Sequence, residues 1–227
     1  MNLQQRNMIT SEEIYEDLCS KIENLDYMPG EAISENELCE RYDTSRHMIR
    51  GAFAMLRQRR LLEVYPQRGS FVSLIDKKYI SDIIYMRESI EQEALQLVIE
   101  SGNVDETCDK MSANLELQKN NRKDKYPNED FFRLDREFHT YYLEAAGHGD
   151  IMDMMSDSYI HFRRWRNLEL RSMLRMDELI EQHENIIVNL RNKDRLAVRK
   201  SLHEHIDTIR LFNSVIEKTK NEYFYKR

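Results

Sequence analysis

Six glycines and three prolines are all that 227 residues contain, roughly a third of average usage. A chain so short of turn-formers cannot supply the frequent turns that a β-sandwich or barrel requires, and long helices become the default. Abundant Met, Leu, Glu and Arg agree with that. Hydrophobic residues at 41% suffice for a core. No apolar run approaches 18 residues, and the first ten residues lack the apolar stretch of a signal peptide. Cys19, Cys39 and Cys108 lie far apart and are odd in number, so they read as reduced thiols rather than a disulfide frame or zinc ribbon. A cytoplasmic protein with no membrane association is expected.

The rare Gly and Pro residues fall where elements should break. Ile14, Leu18, Ile22 and Leu25 repeat at helical spacing before Asp26-Tyr-Met-Pro-Gly30. Ser34, with Glu37 three residues on, starts a short helix through a capping box. Asp43-Thr44-Ser45 forms a turn and caps a third helix reaching about Arg59, with Ile49, Ala52, Phe53 and Leu56 as its buried stripe. Leu62–Tyr65, Pro66–Gly69 and Ser70–Leu74 then read as a β-hairpin. Helix, helix, turn, helix and hairpin make the winged helix-turn-helix plan, a DNA-binding domain over residues 1–75. A linker is expected at 76–78, followed by an all-α bundle of six or seven helices over 79–227. Its helices are expected near 79–100, 104–121, 128–146, 150–174, 177–190 and 194–219.

Net charge is −7, which would disfavour a polyanionic partner if it were evenly spread. It is not. Residues 41–68 hold seven arginines (41, 46, 50, 57, 59, 60 and 68) against Asp43 and Glu63, and local field outweighs net charge for such a partner. Arg46 and Arg50 lie one turn apart on the helix face opposite the apolar stripe. A major groove admits one helix, where Arg can grip guanine or phosphate. Ser45 at the helix start suits a phosphate. Arg68 and Gly69 at the hairpin tip suit a wing in the minor groove.

These residues carry a resemblance. Ile14-Tyr-Glu-Asp-Leu18, Met28-Pro-Gly-Glu31, Ser34-Glu-Asn-Glu-Leu38, Thr44-Ser-Arg46, Ile49-Arg50 and Arg68-Gly-Ser-Phe-Val72 together resemble the GntR family of bacterial transcriptional regulators. The resemblance implies DNA contacts from Ser45, Arg46 and Arg50, with Arg68 and Gly69 at the wing. His47-Met48 stands where Thr-Pro is usual, Gly51 replaces an acidic residue, and Asn36 occupies a common contact position. His47 is itself a candidate base reader.

Four polar residues interrupt apolar stripes in the second half. Asp135 fills a vacancy among Phe131, Phe138, Tyr142 and Ala145, with His139 one turn on. His183 lies between Leu179/Ile180 and Ile186/Ile187. His205 takes the vacant place among Val198, Leu202, Ile209, Phe212 and Ile216. Each alone could be a hydrogen-bonded core residue. Together, three imidazoles and a carboxylate match the ligand preferences of Zn²⁺, Mn²⁺ or Ni²⁺. His203 faces elsewhere and should be solvated, His148 should cap a helix, and His161 is an outside candidate ligand.

Asp135-x3-His139, His183 and His205 resemble the metal set of the FCD effector domain, found in the FadR branch of the GntR family, over about residues 79–217. That resemblance implies one divalent ion per chain beside a small carboxylate or sugar acid, and speaks against an acyl-CoA ligand. Arg87, followed by Glu91, is the candidate effector cation, against a purely structural ion pair. Tyr159 and Arg163 share a helix face that would line the same cavity. The expected whole is a ligand-responsive repressor binding a palindromic operator as a homodimer, two recognition helices about 34 Å apart. One alternative makes the metal itself the signal. A metal-dependent hydrolase is disfavoured, since the sequence holds no HExxH, P-loop, GxSxG or GxGxxG motif.

Overall fold

The computed structural model describes residues 9–121, 129–173, 176–207 and 221–226. The chain forms two compact units, one of the residues up to Asp76 together with Glu222 onward, the other Lys77–Asn221.

The first unit opens with α1 (Ser11–Glu23). The Thr10 hydroxyl accepts from the Glu13 N–H at 3.1 Å, and the Glu13 carboxylate accepts from the Thr10 N–H at 2.7 Å. This reciprocal box satisfies two donors that a helix start leaves open. Ile14, Leu18 and Ile22 are wholly buried against α3 (Arg46–Gln58), whose Ile49, Ala52, Phe53 and Leu56 form the facing stripe. Between them runs α2 (Glu35–Arg41), capped by the Ser34 hydroxyl, which accepts from the Glu37 N–H at 3.4 Å. Strands β2 (Leu62–Tyr65) and β3 (Gly69–Val72) pair antiparallel, with Val64 opposite Ser70 and Tyr65 opposite Gly69. β1 (Ala32–Ile33) joins the other edge of β3, giving the order β1-β3-β2. The unit is a winged helix-turn-helix.

Two features of this unit were not legible in the sequence pattern. Gly51 lies at the approach of α1 to α3, where a Cβ would stand 2.4 Å from Ser11 Oγ and 2.9 Å from Ser11 Cβ. Only glycine admits so close a contact. The C-terminal residues also return to this unit. Ile75 forms a parallel bridge with Phe224; its N–H donates to the Tyr223 carbonyl at 2.8 Å, and its carbonyl accepts from Tyr225 at 3.3 Å. Phe224 is 2% exposed. Residues 222–226 therefore complete the first unit, where the 79–227 boundary had put them in the helical domain.

The second unit, among the described residues, is built of helices: α4 (Lys77–Ser101), α5 (Val104–Asn121), α6 (Glu129–Ala145), α7 (Ile151–Met154), α8 (Ser156–Met173), α9 (Met176–Arg191) and α10 (Arg195–Ile206). Lys77 and Lys78 already lie in α4 rather than in a linker, because nothing there breaks a helix and Lys78 pairs with Asp82 one turn on. Left-handed Gly102 and Gly147, with φ of 82° and 81°, follow α4 and α6. The helix expected over 150–174 divides at Met155 into α7 and α8. The continuation expected to 219, with Ile209, Phe212 and Ile216, lies outside the described residues.

Helix α5 packs on α6 and α9, α9 on α10, and α4 on α6, α8 and α10. The inner faces of α4, α6, α9 and α10 thus enclose one core. No helix among the described residues is long and apolar enough to cross a membrane.

Candidate metal centre and nucleic-acid interface

Asp135 and His139 stand on α6, His183 on α9 and His205 on α10. One ligand atom from each lies within 4.8 Å of all the others. The three imidazoles are fully buried and Asp135 is 7% exposed. His139 Nε2 and His205 Nε2 are 3.0 Å apart. His183 Nε2 stands 3.5 Å from Asp135 Oδ1, and neither of these two atoms has a hydrogen-bond partner among the described residues.

The outer nitrogens explain the inner ones. His139 Nδ1 lies 2.8 Å from Glu91 Oε2, His183 Nδ1 2.8 Å from Gln118 Oε1, and His205 Nδ1 3.3 Å from Gln182 Oε1. Each of these partners is an oxygen, and His139 Nδ1 also lies 2.5 Å from the Tyr142 hydroxyl; with the proton on Nδ1 a neutral ring turns its Nε2 lone pair to the centre. Burial, reinforced by neighbouring imidazoles and the charges of Arg166 and Arg87, holds His183 and His205 well below the usual imidazole range. They are neutral, as metal ligands must be.

Inward lone pairs without donors cost about 1–3 kcal/mol for each unsatisfied buried group. A divalent cation is a partner that all four could share. Nitrogen and carboxylate donors bind Zn²⁺ at about 2.0–2.2 Å, so the group needs only small inward side-chain movements to close on one ion.

Arg87 on α4 is 2% exposed. Its Nε donates to Glu91 Oε1 at 2.7 Å, and its Nη2 is buried without a partner. The guanidinium lies 4.6 Å from the Phe162 ring centre and 5.0 Å from that of Tyr159. Arg163 lies 5.5 Å from the same Tyr159 ring. Arg87 and Arg163 therefore both gather at the Tyr159 ring. Burial, opposed by the charge of Arg87 and aided by those of Asp135 and Glu91, pushes the Tyr159 hydroxyl up to about 12.

The remaining histidines stand apart from the four. His161 is buried edge-on to Tyr79, with ring centres 5.2 Å apart. His203, expected to be solvated, is half-buried with Nδ1 2.7 Å from Glu88; its face of α10 meets α4 instead of water. His148 is exposed in the turn after α6, its backbone N–H bonded to the Leu143 carbonyl.

In the first unit Ser45 is the N-cap of α3 and makes no side-chain capping bond. Ser45, Arg46, His47 and Arg50 are all exposed. Arg50 donates from Nε to the Glu35 carboxylate at 3.0 and 3.3 Å, a contact between α2 and α3 that helix spacing alone does not reveal. Arg68 and Gly69 are exposed at the hairpin tip. Gly69 has φ of 103°, a conformation that L side chains rarely adopt. Arg68 lies 5.6 Å from the Tyr65 ring centre.

Pattern reasoning missed Glu35, Gln118 and Gln182, and read Glu91 only as the partner of Arg87. Their one sequence signal is a polar residue on an otherwise apolar helix face, as for Gln118 after Met111 and Leu115.

A winged helix-turn-helix with an arginine-bearing third helix, joined to a helical domain with a buried donor set, defines a DNA-binding transcriptional regulator. The chain belongs to the GntR family: residues 10–72 match the bacterial regulatory proteins of the gntR family and residues 82–208 match the FCD domain. It is 30% identical to an HTH-type transcriptional regulator in an unstable DNA locus of Streptomyces ambofaciens, over 87% of this chain and 82% of the relative. Identity is 28% to the HTH-type transcriptional repressor RspR of Escherichia coli, over 88% and 86%. It is 26% to the gluconate operon transcriptional repressor of Bacillus licheniformis, over 79% and 75%. The fold matches that of E. coli McbR/YncC with a TM-score of 0.61 at 18% identity, covering 93% of this chain and 99% of that one. Family and relatives are regulators of transcription, not enzymes.

Proposed function

We propose that this regulator is a cytoplasmic repressor that binds a palindromic operator as a homodimer and is released by a small carboxylate or sugar acid held beside a divalent ion. The observation that carries the reading is the convergence of the His139, His183 and His205 Nε2 atoms and Asp135 Oδ1 on one buried point, every Nδ1 being taken from outside. Asp135, His139, His183 and His205 would hold Zn²⁺, Mn²⁺ or Ni²⁺, one per chain. The ion would supply a fixed positive charge that attracts an anion.

Arg87 supports an organic anion as the signal, in preference to the metal alone. Its Nη2 is an unused buried donor, and a guanidinium grips carboxylates through paired N–H groups. Tyr159 and Arg163 would complete the contact. The gluconate relative is named for the operon of a sugar acid, which fits this chemistry. With Arg87 and Tyr159 buried, the effector enters only if helices part, and its differential affinity for two arrangements drives the switch.

On DNA, Ser45, Arg46, His47 and Arg50 would meet the major groove, and Arg68 and Gly69 the minor groove. Footprinting upstream of the protein's own gene tests this: protection is expected for the parent and lost in Arg46→Ala, with helicity and oligomeric state unchanged. Elemental analysis of untagged protein tests the ion. About one equivalent per chain is expected, and none after reloading with Zn²⁺, Mn²⁺ and Ni²⁺ would end the metal reading.

A further inference from the structure

The ion reading rests on four donors, yet the group that governs one of them stands outside the set. Glu91 is 1% exposed on α4, 48 residues from His139 along the chain. Its Oε2 lies 2.8 Å from His139 Nδ1 and accepts from the Tyr142 hydroxyl at 2.5 Å, while its Oε1 accepts from Arg87 Nε at 2.7 Å. The other two rings are held by neutral amides, Gln118 and Gln182.

The geometry points to Glu91 as a positioning residue of the metal centre: it fixes the proton of His139 on Nδ1 and strengthens Nε2 as a donor to the ion. This inference rests on the proposed metal site and deepens it. A carboxylate behind a ligating imidazole fixes the ring's tautomer and orientation and raises its basicity, which an amide does less well. Glu91 is the only one of the three outer acceptors that carries charge. His139 should therefore be the most strongly donating ring, and Glu91 the outer residue on which ion affinity depends most. The same carboxylate faces Arg87 with its other oxygen, so the proposed anion site and the ion site meet at a single side chain.

Glu91→Gln alone would leave Arg87 as an uncompensated buried charge and could unfold the domain. The informative variant is therefore Arg87→Met with Glu91→Gln, which removes both charges together. Loss of a nearby cation would by itself tighten binding of Zn²⁺, so weakening in this variant reports the carboxylate. Zn²⁺ affinity, measured by competition with a chromophoric chelator, is expected to fall about 10- to 100-fold. In metal-free protein, long-range proton–nitrogen spectra of the histidine rings are expected to show the His139 proton on Nδ1 in the parent, and a population on Nε2 in the variant. A folded variant that binds Zn²⁺ as tightly as the parent would overturn the role of Glu91 and leave the metal site standing. So would a parent whose His139 proton lies on Nε2. A parent that binds no Zn²⁺ would overturn the metal site, and this inference with it.

Discussion

His139 and His205 face each other with Nε2 atoms 3.0 Å apart and ring planes 24° from parallel. That distance is a hydrogen bond if one Nε2 carries a proton, and brings two lone pairs together if both rings keep their single protons outward, toward Glu91 and Gln182. In that second arrangement two lone pairs meet across a buried gap. A cation between them, joined by His183 and Asp135, would turn a repulsive arrangement into a coordinating one.

Removing the ion should then destabilise the helical domain. An ion present at 100 times its dissociation constant stabilises a fold by about 2.7 kcal/mol, equivalent to roughly 5–10 °C in melting temperature for a domain of this size. Thermal melts with and without EDTA should show a drop of that order. Asp135→Ala should melt at one temperature regardless of EDTA.

The metal-free protein should lose stability as pH falls. His183 and His205 have folded values well below the ordinary imidazole range, set first by burial. Below about pH 6.5 the unfolded chain binds protons that the folded chain refuses, so acid favours unfolding. The contribution is fully present above that pH. Each histidine adds a slope of up to about 1.4 kcal/mol per pH unit. Urea unfolding of EDTA-treated protein at pH 5.5 and 7.5 checks it, and equal stability at both would contradict neutral buried rings.

On DNA, Arg46→Ala and Arg50→Ala should each weaken operator binding by about 1–3 kcal/mol, or roughly 5- to 150-fold. The two should differ in one respect. Arg50 is tied to Glu35, so Arg50→Ala would also leave a half-buried carboxylate unpaired beside the proposed DNA-contact face. Glu35→Gln in the parent should strengthen binding, as measured by fluorescence anisotropy at fixed salt.

Gly51→Ala should strain the approach of α1 to α3, because its Cβ would come within 2.9 Å of Ser11 Cβ. Overpacking of this kind costs about 1–3 kcal/mol. Ser11→Gly in the same chain removes both contacting atoms and should recover most of the loss in chemical denaturation, which a propensity effect alone would not allow.

Phe224→Ala should destabilise the DNA-binding unit rather than the helical one. The ring is 2% exposed beside Ile75, and Phe→Ala in a core costs about 3–5 kcal/mol. Hydrogen exchange should show faster opening around Ile75, with the amides of α6 and α9 unchanged.

The sequence by itself determined the architecture and the candidate ligand set. Scarce Gly and Pro selected helices, and the change of period after Arg60 marked the wing. Polar vacancies in three apolar stripes picked out Asp135, His139, His183 and His205. Each of those signals is local, because periodicity reports which face of an element is buried. What lies opposite that face is another matter, and only tertiary packing decided it. Glu91 reaches His139 from α4, Gln118 reaches His183 from α5, and Phe224 reaches Ile75 from 149 positions further along the sequence. No period within one helix encodes these pairings. They arise when helices dock and buried polar atoms must find partners across the contact, and that docking fixed which nitrogen of each ring turns to the centre.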